Sequence, residues 1–183
     1  MRTKAELSGH QDRPQAAMSL DPSPVPHPAP PVDGRQSQNA LKVRRGTCRL
    51  LRLHGFSALP EVGLASGRRA DLVAVGKGGE IWIVEIKSSL EDLRADAKWP
   101  FYRLHCDRLF FATLPEVPAA AFPEEAGLIL TDGFQAEILR EAPTHRLAAA
   151  TRKAMLLKVA QLASSRLHLL EDPEAAHLDL PVW

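Results

Sequence analysis

The sequence predicts an α/β fold, an α/β/α sandwich in which helices cover both faces of a central mixed β-sheet. Short runs rich in Val, Ile and Phe alternate with segments of helical periodicity, in the order helix, three strands, helix, two strands and helix. Two of these runs, RADLVAV and IWIVEIK, are apolar on both alternating faces near their shared turn. A hairpin of this kind is central and covered on both sides.

The 183-residue chain has enough length for one folded domain with a substantial core. Residues 1–37 contain DPSPVPHPAPPVDG, whose prolines remove backbone donors, so a disordered leader is expected there. A docking role for this proline-rich run is the alternative to a passive one. The domain is expected over residues 38–172, followed by a tail at residues 173–183.

Composition narrows the class of protein only partly. The net charge of +1 indicates no kind of partner, and the lone residues Cys48 and Cys106 favour neither a disulfide framework nor a zinc site. No run approaches the ~20 apolar residues that span a bilayer, and the N-terminus lacks the apolar segment of a signal peptide. We therefore expect a soluble, cytoplasmic protein without a membrane partner. Nothing in the sequence marks a subunit interface, so the oligomeric state stays open.

The first predicted helix runs from Gln38 to about His54 and carries a basic stripe. Its apolar residues occupy most of the circumference, so the helix is expected to be largely buried. Four cations fall within one narrow stripe at 100° per residue: Lys42, Arg45, Arg49 and Arg52. A solvated edge and an edge that faces phosphates are the two interpretations, and four like charges on one stripe repel unless an anion lies between them.

Three strands follow this helix. The first is the extended segment 58–65, and Ser66-Gly67 turns the chain into the strand 69–75. The segment 76–80, GKGGE, reads as a hairpin loop that leads into the strand 81–87. If the loop is symmetric about Gly78, the facing pairs are Val75 with Ile81, Val73 with Ile83, and Asp71 with Glu85.

The remaining elements are predicted from caps and apolar runs. Ser89 and Asp92 resemble a capping box, which starts a helix through about Leu104 with a kink expected at Pro100. Strands are expected at residues 107–113 and 127–131. A long helix rich in Ala and Leu is expected at residues 144–170, with its basic residues distributed around it.

The charged end of the central hairpin is the most informative feature. Glu85 and Lys87 are two residues apart on a strand, so their side chains share a face. With Asp71 opposite Glu85, two acids face each other with their Cβ atoms about 5 Å apart, which is unfavourable unless a proton or a cation intervenes. A divalent metal is one such cation. The alternative is an ion-pair cluster, because the same register brings Arg69 opposite Lys87.

These residues carry a family resemblance. Asp71 followed by Glu85-Ile86-Lys87, in this order of helix, strand, hairpin, helix and strand, resembles the PD-(D/E)XK nuclease superfamily, with Ala70 where its name has proline. The stretch from RADLVAV to DRLFFAT is similar to the MmcB-like DNA-repair family within that superfamily. Five further residues carry this likeness: Lys98, Trp99, Tyr102, Cys106 and Asp107.

The resemblance implies a restriction-endonuclease-like domain with a metal centre. Asp71, Glu85 and the backbone carbonyl of Ile86 would bind Mg²⁺ or Mn²⁺, and Lys87 would orient water or stabilise the transition state. Glu61 is the candidate for a further acid that many members carry upstream. A two-residue turn at Ser66-Gly67 would pair it with Leu72, on the wrong face, and a three-residue turn with Val73, on the right one.

The expected function is therefore metal-dependent hydrolysis of DNA phosphodiesters in DNA repair, by a nucleoid-associated enzyme. DNA is the expected partner, with other repair proteins as further candidates. The residues expected to contact DNA are Lys42, Arg45, Arg49, Arg52, Lys98 and Tyr102. The alternatives are a non-catalytic DNA-binding or scaffold protein that retains the fold, and a structural protein whose acids form the ion-pair cluster.

Overall fold

The computed structural model describes residues 37–96 and 98–177, so the predicted leader, apart from Ser37, lies outside the described residues. The helices are α1 (Gln38–Leu53), α2 (Leu90–Ala95) and α3 (Ala149–Glu171). The strands are β1 (Phe56–Gly63), β2 (Arg69–Gly76), β3 (Ile81–Lys87), β4 (Arg108–Thr113), β5 (Gly127–Thr131) and β6 (Ala136–Arg140). Three 3₁₀ helices complete the fold: Trp99–His105, Ala119–Ala121 and Pro173–His177. The last of these lies in the predicted tail.

The six strands form one sheet in chain order, β1-β2-β3-β4-β5-β6. The pairs β1/β2, β2/β3 and β5/β6 are antiparallel, whereas β3/β4 and β4/β5 are parallel. Each parallel connection crosses over the sheet through helical segments, as parallel pairing requires. The prediction of a mixed α/β fold is thus confirmed.

Helices cover both faces of the sheet, and alternation along β3 separates two cores. Trp82, Val84 and Ile86 pack on the α1 side, with Val43 and Leu51 of that helix. On the other side, residues of β2 and β3 pack against the 3₁₀ helix Trp99–His105 and against α3, through Val73, Ile81, Ile83, Tyr102 and Met155. All seven residues of β3 are buried, as expected for a strand covered on both sides.

The central hairpin has the expected register. Val75 pairs with Ile81 and Val73 with Ile83, and the last ladder pair before the charged end is Leu72 with Val84. Gly79, at a φ of +80°, lets the loop close with a hydrogen bond from its amide to the carbonyl of Gly76. The loop therefore sets which face each charged residue at the far end occupies.

Two predicted helix boundaries are wrong, and one strand was not predicted. The helix after Ser89 ends at Ala95 rather than continuing to about Leu104, because Asp96 caps it and a separate 3₁₀ helix, with Pro100 in its first turn, then begins at Trp99. Strand β6 was not expected, although it alternates between half-buried and exposed residues. Helix α3 begins at Ala149 rather than at Thr144, because the amides of His145 and Leu147 donate to Asp107 and hold that segment extended.

Asp107 joins α3 to the start of the central strands. Its carboxylate accepts a hydrogen bond from the amide of Ile81 at 2.8 Å and two from the guanidinium of Arg152, each at 2.6 Å. Arg152 also donates to the carbonyl of Gly79 in the hairpin loop, at 2.7 Å. Burial acts to raise the pKa of Asp107, but these donors outweigh it and the net pKa is lowered.

The helices give no sign of a membrane span. Within residues 37–96 and 98–177, none is both long enough and apolar enough to cross a bilayer.

Candidate functional site: an acidic cleft with a buried lysine

The charged end of the hairpin forms the floor of a cleft of about 570 Å³. Asp71, Glu85 and Lys87 all line it, as the sequence predicts, and so does Ile86. The walls come from the start of α1, the start of β2, helix α2 and the 3₁₀ helix that follows, through residues that include Ser37, Ala40, Arg68, Asp96, Lys98 and Tyr102. The cleft thus gathers side chains from five elements, which are spread along the chain from α1 to the 3₁₀ helix Trp99–His105.

The two carboxylates are held by backbone amides of the opposite strand. The amide of Ile86 donates to Oδ2 of Asp71 at 2.8 Å, and the amide of Asp71 donates to Oε1 of Glu85 at 3.3 Å. These bonds continue the β2/β3 pairing beyond its last ladder pair, with side-chain oxygens in place of backbone carbonyls. One oxygen of each carboxylate stays outside these two bonds.

Both acids are in an environment that disfavours their charged forms. Burial raises the pKa of Asp71, and the amide of Ile86 and the ammonium of Lys87 offset this only in part. Burial, followed by the neighbouring charge of Asp71, raises the pKa of Glu85 to about 8. Among the described residues neither carboxylate makes an ion pair. A bound cation would offset the repulsion between the two carboxylates.

The raised pKa of Glu85 predicts a stability that falls as the pH rises. Between pH 4.5 and about 8 the folded protein keeps a proton on Glu85 that the unfolded chain has released. The free energy of unfolding should therefore decrease over this interval, by roughly 2–4 kcal/mol. In metal-free protein, Glu85→Gln should remove most of the decrease, because its oxygen still accepts the amide of Asp71. Urea unfolding from pH 5 to 9 measures the effect.

The matched control is Glu116→Gln, which removes an exposed acid from a loop. This variant should keep the wild-type pH dependence of unfolding. If the free energy of unfolding depended equally on pH in wild type and Glu85→Gln, this would contradict a raised pKa at Glu85.

Lys87 is buried and its ammonium is paired with Asp96. The distance from Nζ to Oδ2 of Asp96 is 2.7 Å, and Oδ1 of the same residue accepts the amide of Lys98 at 3.1 Å. Burial acts to lower the pKa of Lys87, but the hydrogen bond and the negative charges of Asp96, Asp92 and Glu85 outweigh it, so the pKa is raised. Lys87 therefore remains a cation on the cleft floor.

Asp96 was not identified from the sequence as a partner of Lys87. A continuous helix through about Leu104 would have kept Asp96 on a helical surface, whereas the break before Pro100 places it at the end of α2 and turns its carboxylate into the cleft. The signal that could have found it is Pro100, since a proline disfavours helix at the residue before it.

Arg69 does not form the ion-pair cluster with the two carboxylates that was the alternative to a metal site. Its guanidinium pairs with Glu61, while the ammonium of Lys87 pairs with Asp96. Because Arg69 and Lys87 each pair with a different acid, they do not neutralise Asp71 and Glu85 within one cluster.

Glu61 lies beside the cleft. Neither predicted pairing occurs: Pro60 pairs with Leu72 and Val62 with Ala70, which leaves Glu61 level with Asp71. The backbone of Glu61 has a φ of +54°, an uncommon conformation for this residue type, and Arg166 of α3 donates to its carbonyl at 3.0 Å. Glu61 is not one of the described residues that line the cleft, although its charge contributes to the raised pKa of Asp71.

Of the residues expected to contact DNA, two line the cleft. Lys98 is exposed at its edge. Tyr102 is buried, donates its hydroxyl to the carbonyl of Arg69 at 3.2 Å, and has a pKa raised by burial and by the charges of Glu85 and Asp71. Arg68, which the sequence did not single out, is a further cation that lines the cleft. Its guanidinium lies 4.8 Å from the centre of the Phe101 ring.

The basic stripe of α1 is exposed over its whole length. All four predicted cations, Lys42, Arg45, Arg49 and Arg52, face solvent. Arg49 lies over the ring of Phe134, 4.1 Å from its centre, and donates to the carbonyl of that residue. The stripe begins two residues after Ala40, which lines the cleft, and continues to the last turn of the helix.

The donor set fits a hard divalent cation. The candidate side-chain ligands are oxygens, from two carboxylates that lack an ion-pair partner among the described residues. No group of three or more His, Cys, Asp or Glu residues with metal-binding geometry occurs in the described part of the chain. A site with few protein ligands suits Mg²⁺, which usually keeps several waters and binds one or two carboxylates. The described residues that line the cleft include no Cys or His, the ligands that soft metals require.

Together, the fold and the site define an α/β protein whose mixed sheet carries a carboxylate and lysine cleft at the end of its central hairpin. The family model described as "DNA repair protein MmcB-like" matches residues 27–174. The chain belongs to the MmcB-like family of DNA repair proteins.

Two further comparisons address relatives. The chain is similar to a solved structure titled "SPO1766 protein of unknown function from Silicibacter pomeroyi", with 43% identity and a TM-score of 0.76. The match covers 79% of this chain and 99% of the other. No curated protein matches the sequence.

Proposed function

We propose that this protein is a metal-dependent deoxyribonuclease of the PD-(D/E)XK type that acts in DNA repair. The observation that carries the proposal is a pair of acids, the half-buried Asp71 and the buried Glu85, which face the cleft without an ion-pair partner among the described residues. A pair that only stabilised the fold would be expected to have a cation beside each acid. Membership in a DNA repair family makes DNA the expected substrate.

Each cleft residue has a distinct role in this proposal. Asp71, Glu85 and the carbonyl of Ile86 would hold Mg²⁺ or Mn²⁺, with the backbone hydrogen bonds fixing the orientation of both carboxylates. The bound metal would supply an activated water and charge neutralisation at the scissile phosphate. Lys87, kept cationic by Asp96, would stabilise the negative charge that develops on the phosphate oxygens.

The exposed cations around the cleft would position the DNA backbone. Lys98 and Arg68 line the cleft, and the exposed stripe of α1 is a second basic surface, on a different side of that helix from the cleft residue Ala40. Neutral replacement of one phosphate-binding cation should lower the slope of log affinity against log salt by about one unit. These residues would set affinity and orientation, whereas the chemistry would depend on the cleft floor.

The test is incubation of the purified chain with Mg²⁺ or Mn²⁺ and four kinds of DNA: intact duplex, nicked duplex, flapped duplex and junction. We expect cleavage of at least one substrate, suppressed by EDTA. Salt-sensitive DNA binding without any cleavage would instead favour the scaffold alternative, which the exposed stripe of α1 supports independently of the acids.

Removal of the charge at Asp96 should change the pH dependence of cleavage. Asp96→Asn can keep the hydrogen bond from the amide of Lys98, but it no longer opposes the desolvation of the Lys87 ammonium. The pKa of Lys87 should then fall, so the loss of activity at high pH should begin at a lower pH, with a rate about tenfold lower at the optimum. Glu91→Gln, on the exposed side of α2, should leave the profile in place.

A further inference from the structure

Helix α3 carries a second apolar surface that faces away from the sheet. Its inner face packs through Met155, Leu156, Val159 and Leu162, and Arg152 and Arg166 bind the sheet side through hydrogen bonds. On the outer face Leu157 and Leu167 are 54% and 56% exposed. A helix with large apolar residues on both faces is usually covered on both.

The outer residues form one regular stripe along the helix. They are spaced alternately by four and three positions, which keeps them on one side of an α-helix, and all six are exposed: Lys153, Leu157, Ala160, Ser164, Leu167 and Glu171. From the first to the last, the stripe is about 27 Å long at 1.5 Å per residue. This spacing is that of a helix-pairing seam.

The stripe is complementary to itself when read in the opposite direction. Position 162 is its midpoint in the sequence, although Leu162 itself is on the inner face. Lys153 and Glu171 are nine positions from this midpoint, and Leu157 and Leu167 are five positions from it. In an antiparallel pair of identical helices, each Lys153 would meet Glu171 of the second copy, and each Leu157 would meet Leu167. Small residues, Ala160 and Ser164, would meet at the centre, where the helices come closest.

The charges at the two ends of the stripe are explained by such a pairing. Glu171 is the last residue of α3, where the helix dipole disfavours an anion, and the cation Lys153 lies near the opposite end. Neither residue makes an ion pair within residues 37–96 and 98–177. An antiparallel partner places each charge beside its opposite and beside the favourable end of a second dipole.

We infer that this protein forms a two-fold symmetric homodimer through antiparallel packing of α3 on α3. The interface is isologous, so it closes at two copies and covers Leu157 and Leu167 of both. None of the six stripe residues lines the cleft, so pairing through the stripe leaves the cleft residues uncovered by the helix of the second copy. The inference stands independently of the nuclease proposal.

The test is sedimentation velocity of the full chain over a range of concentrations. Wild type should sediment as a dimer, and Leu157→Glu combined with Leu167→Glu should sediment as a monomer. Leu139→Glu is the matched control, because Leu139 of β6 is 50% exposed but lies outside the stripe, so this variant should remain a dimer. Far-UV circular dichroism establishes that each variant is folded.

Charge reversal tests the antiparallel register itself. Lys153→Glu or Glu171→Lys alone places like charges opposite each other at both ends, which should raise the dissociation constant about tenfold. An equimolar mixture of the two single variants should recover wild-type affinity as a heterodimer, and so should the double variant. A wild-type monomer at all concentrations, a dimer insensitive to the leucine changes, or reversal without recovery would each overturn the inference.

Discussion

Lys87→Met should slow DNA cleavage in Mg²⁺ by about 10²–10³-fold, and Glu85→Gln by at least as much. Methionine fills much of the volume of the lysine stem but removes the charge that would stabilise the transition state. Glutamine keeps the hydrogen bond with the amide of Asp71 but weakens the binding of a metal ion. Single-turnover rates with saturating protein separate this loss from any change in DNA affinity.

The control for charge is Lys77→Met, which removes an exposed lysine at the opposite end of the same hairpin. Its cleavage rate should match wild type. Thermal unfolding should show that Glu85→Gln is no less stable than wild type in the absence of metal, which excludes misfolding as the cause of inactivity. Cleavage that persists in both cleft variants would remove Lys87 and Glu85 from the reaction.

Asp107→Ala should destabilise the folded protein by about 3–5 kcal/mol. It removes both hydrogen bonds to Arg152 and leaves that guanidinium without its anion in a partly buried position. It also removes the acceptor for the amide of Ile81 at the start of β3. Because the pKa of Asp107 is lowered in the folded protein, this contribution is present above its ordinary pKa and lost as the pH falls through the lowered value.

The control for Asp107→Ala is the exposed ion pair between Arg108 and Glu141. Its nitrogen-to-oxygen distance is 2.6 Å, the same as that between Arg152 and Asp107. Because 67% of the Glu141 side chain is exposed, Glu141→Ala should cost at most about 1 kcal/mol. Urea unfolding measures Asp107→Ala and Glu141→Ala, and a cycle of Asp107→Ala, Arg152→Met and the double variant gives the coupling energy of the Asp107–Arg152 pair. Equal costs for Asp107→Ala and Glu141→Ala would mean that the Asp107 network does not anchor α3.

The sequence was sufficient to predict the central hairpin and the face of its charged residues. A five-residue loop with glycines fixes the register of Val75 with Ile81, and a period of two residues along each strand then places Asp71, Glu85 and Lys87 on one face. The stripe of α1 could be predicted for the same reason, since helical periodicity alone determines which side chains are neighbours.

What could not be predicted depends on interactions between distant segments or on local backbone departures. Asp96 reaches Lys87 only because α2 stops before Pro100, and a periodic pattern does not show where a short helix ends. Glu61 is turned towards Arg69 by a left-handed backbone conformation that no alternation rule anticipates. The late start of α3 is set by hydrogen bonds to Asp107, some 40 residues away.

Titration of Mg²⁺ or Mn²⁺ into the metal-free protein by calorimetry, compared with Asp71→Asn, tests most directly whether the paired acids form a metal site. At pH 7 we expect one binding event in wild type, accompanied by release of about one proton from the carboxylate pair, because the pKa of Glu85 is raised to about 8. Titrations in two buffers of different ionisation enthalpy measure that proton. Asp71→Asn should lose the binding, whereas equal binding in both proteins, or none in wild type, would contradict a metal site at Asp71 and Glu85.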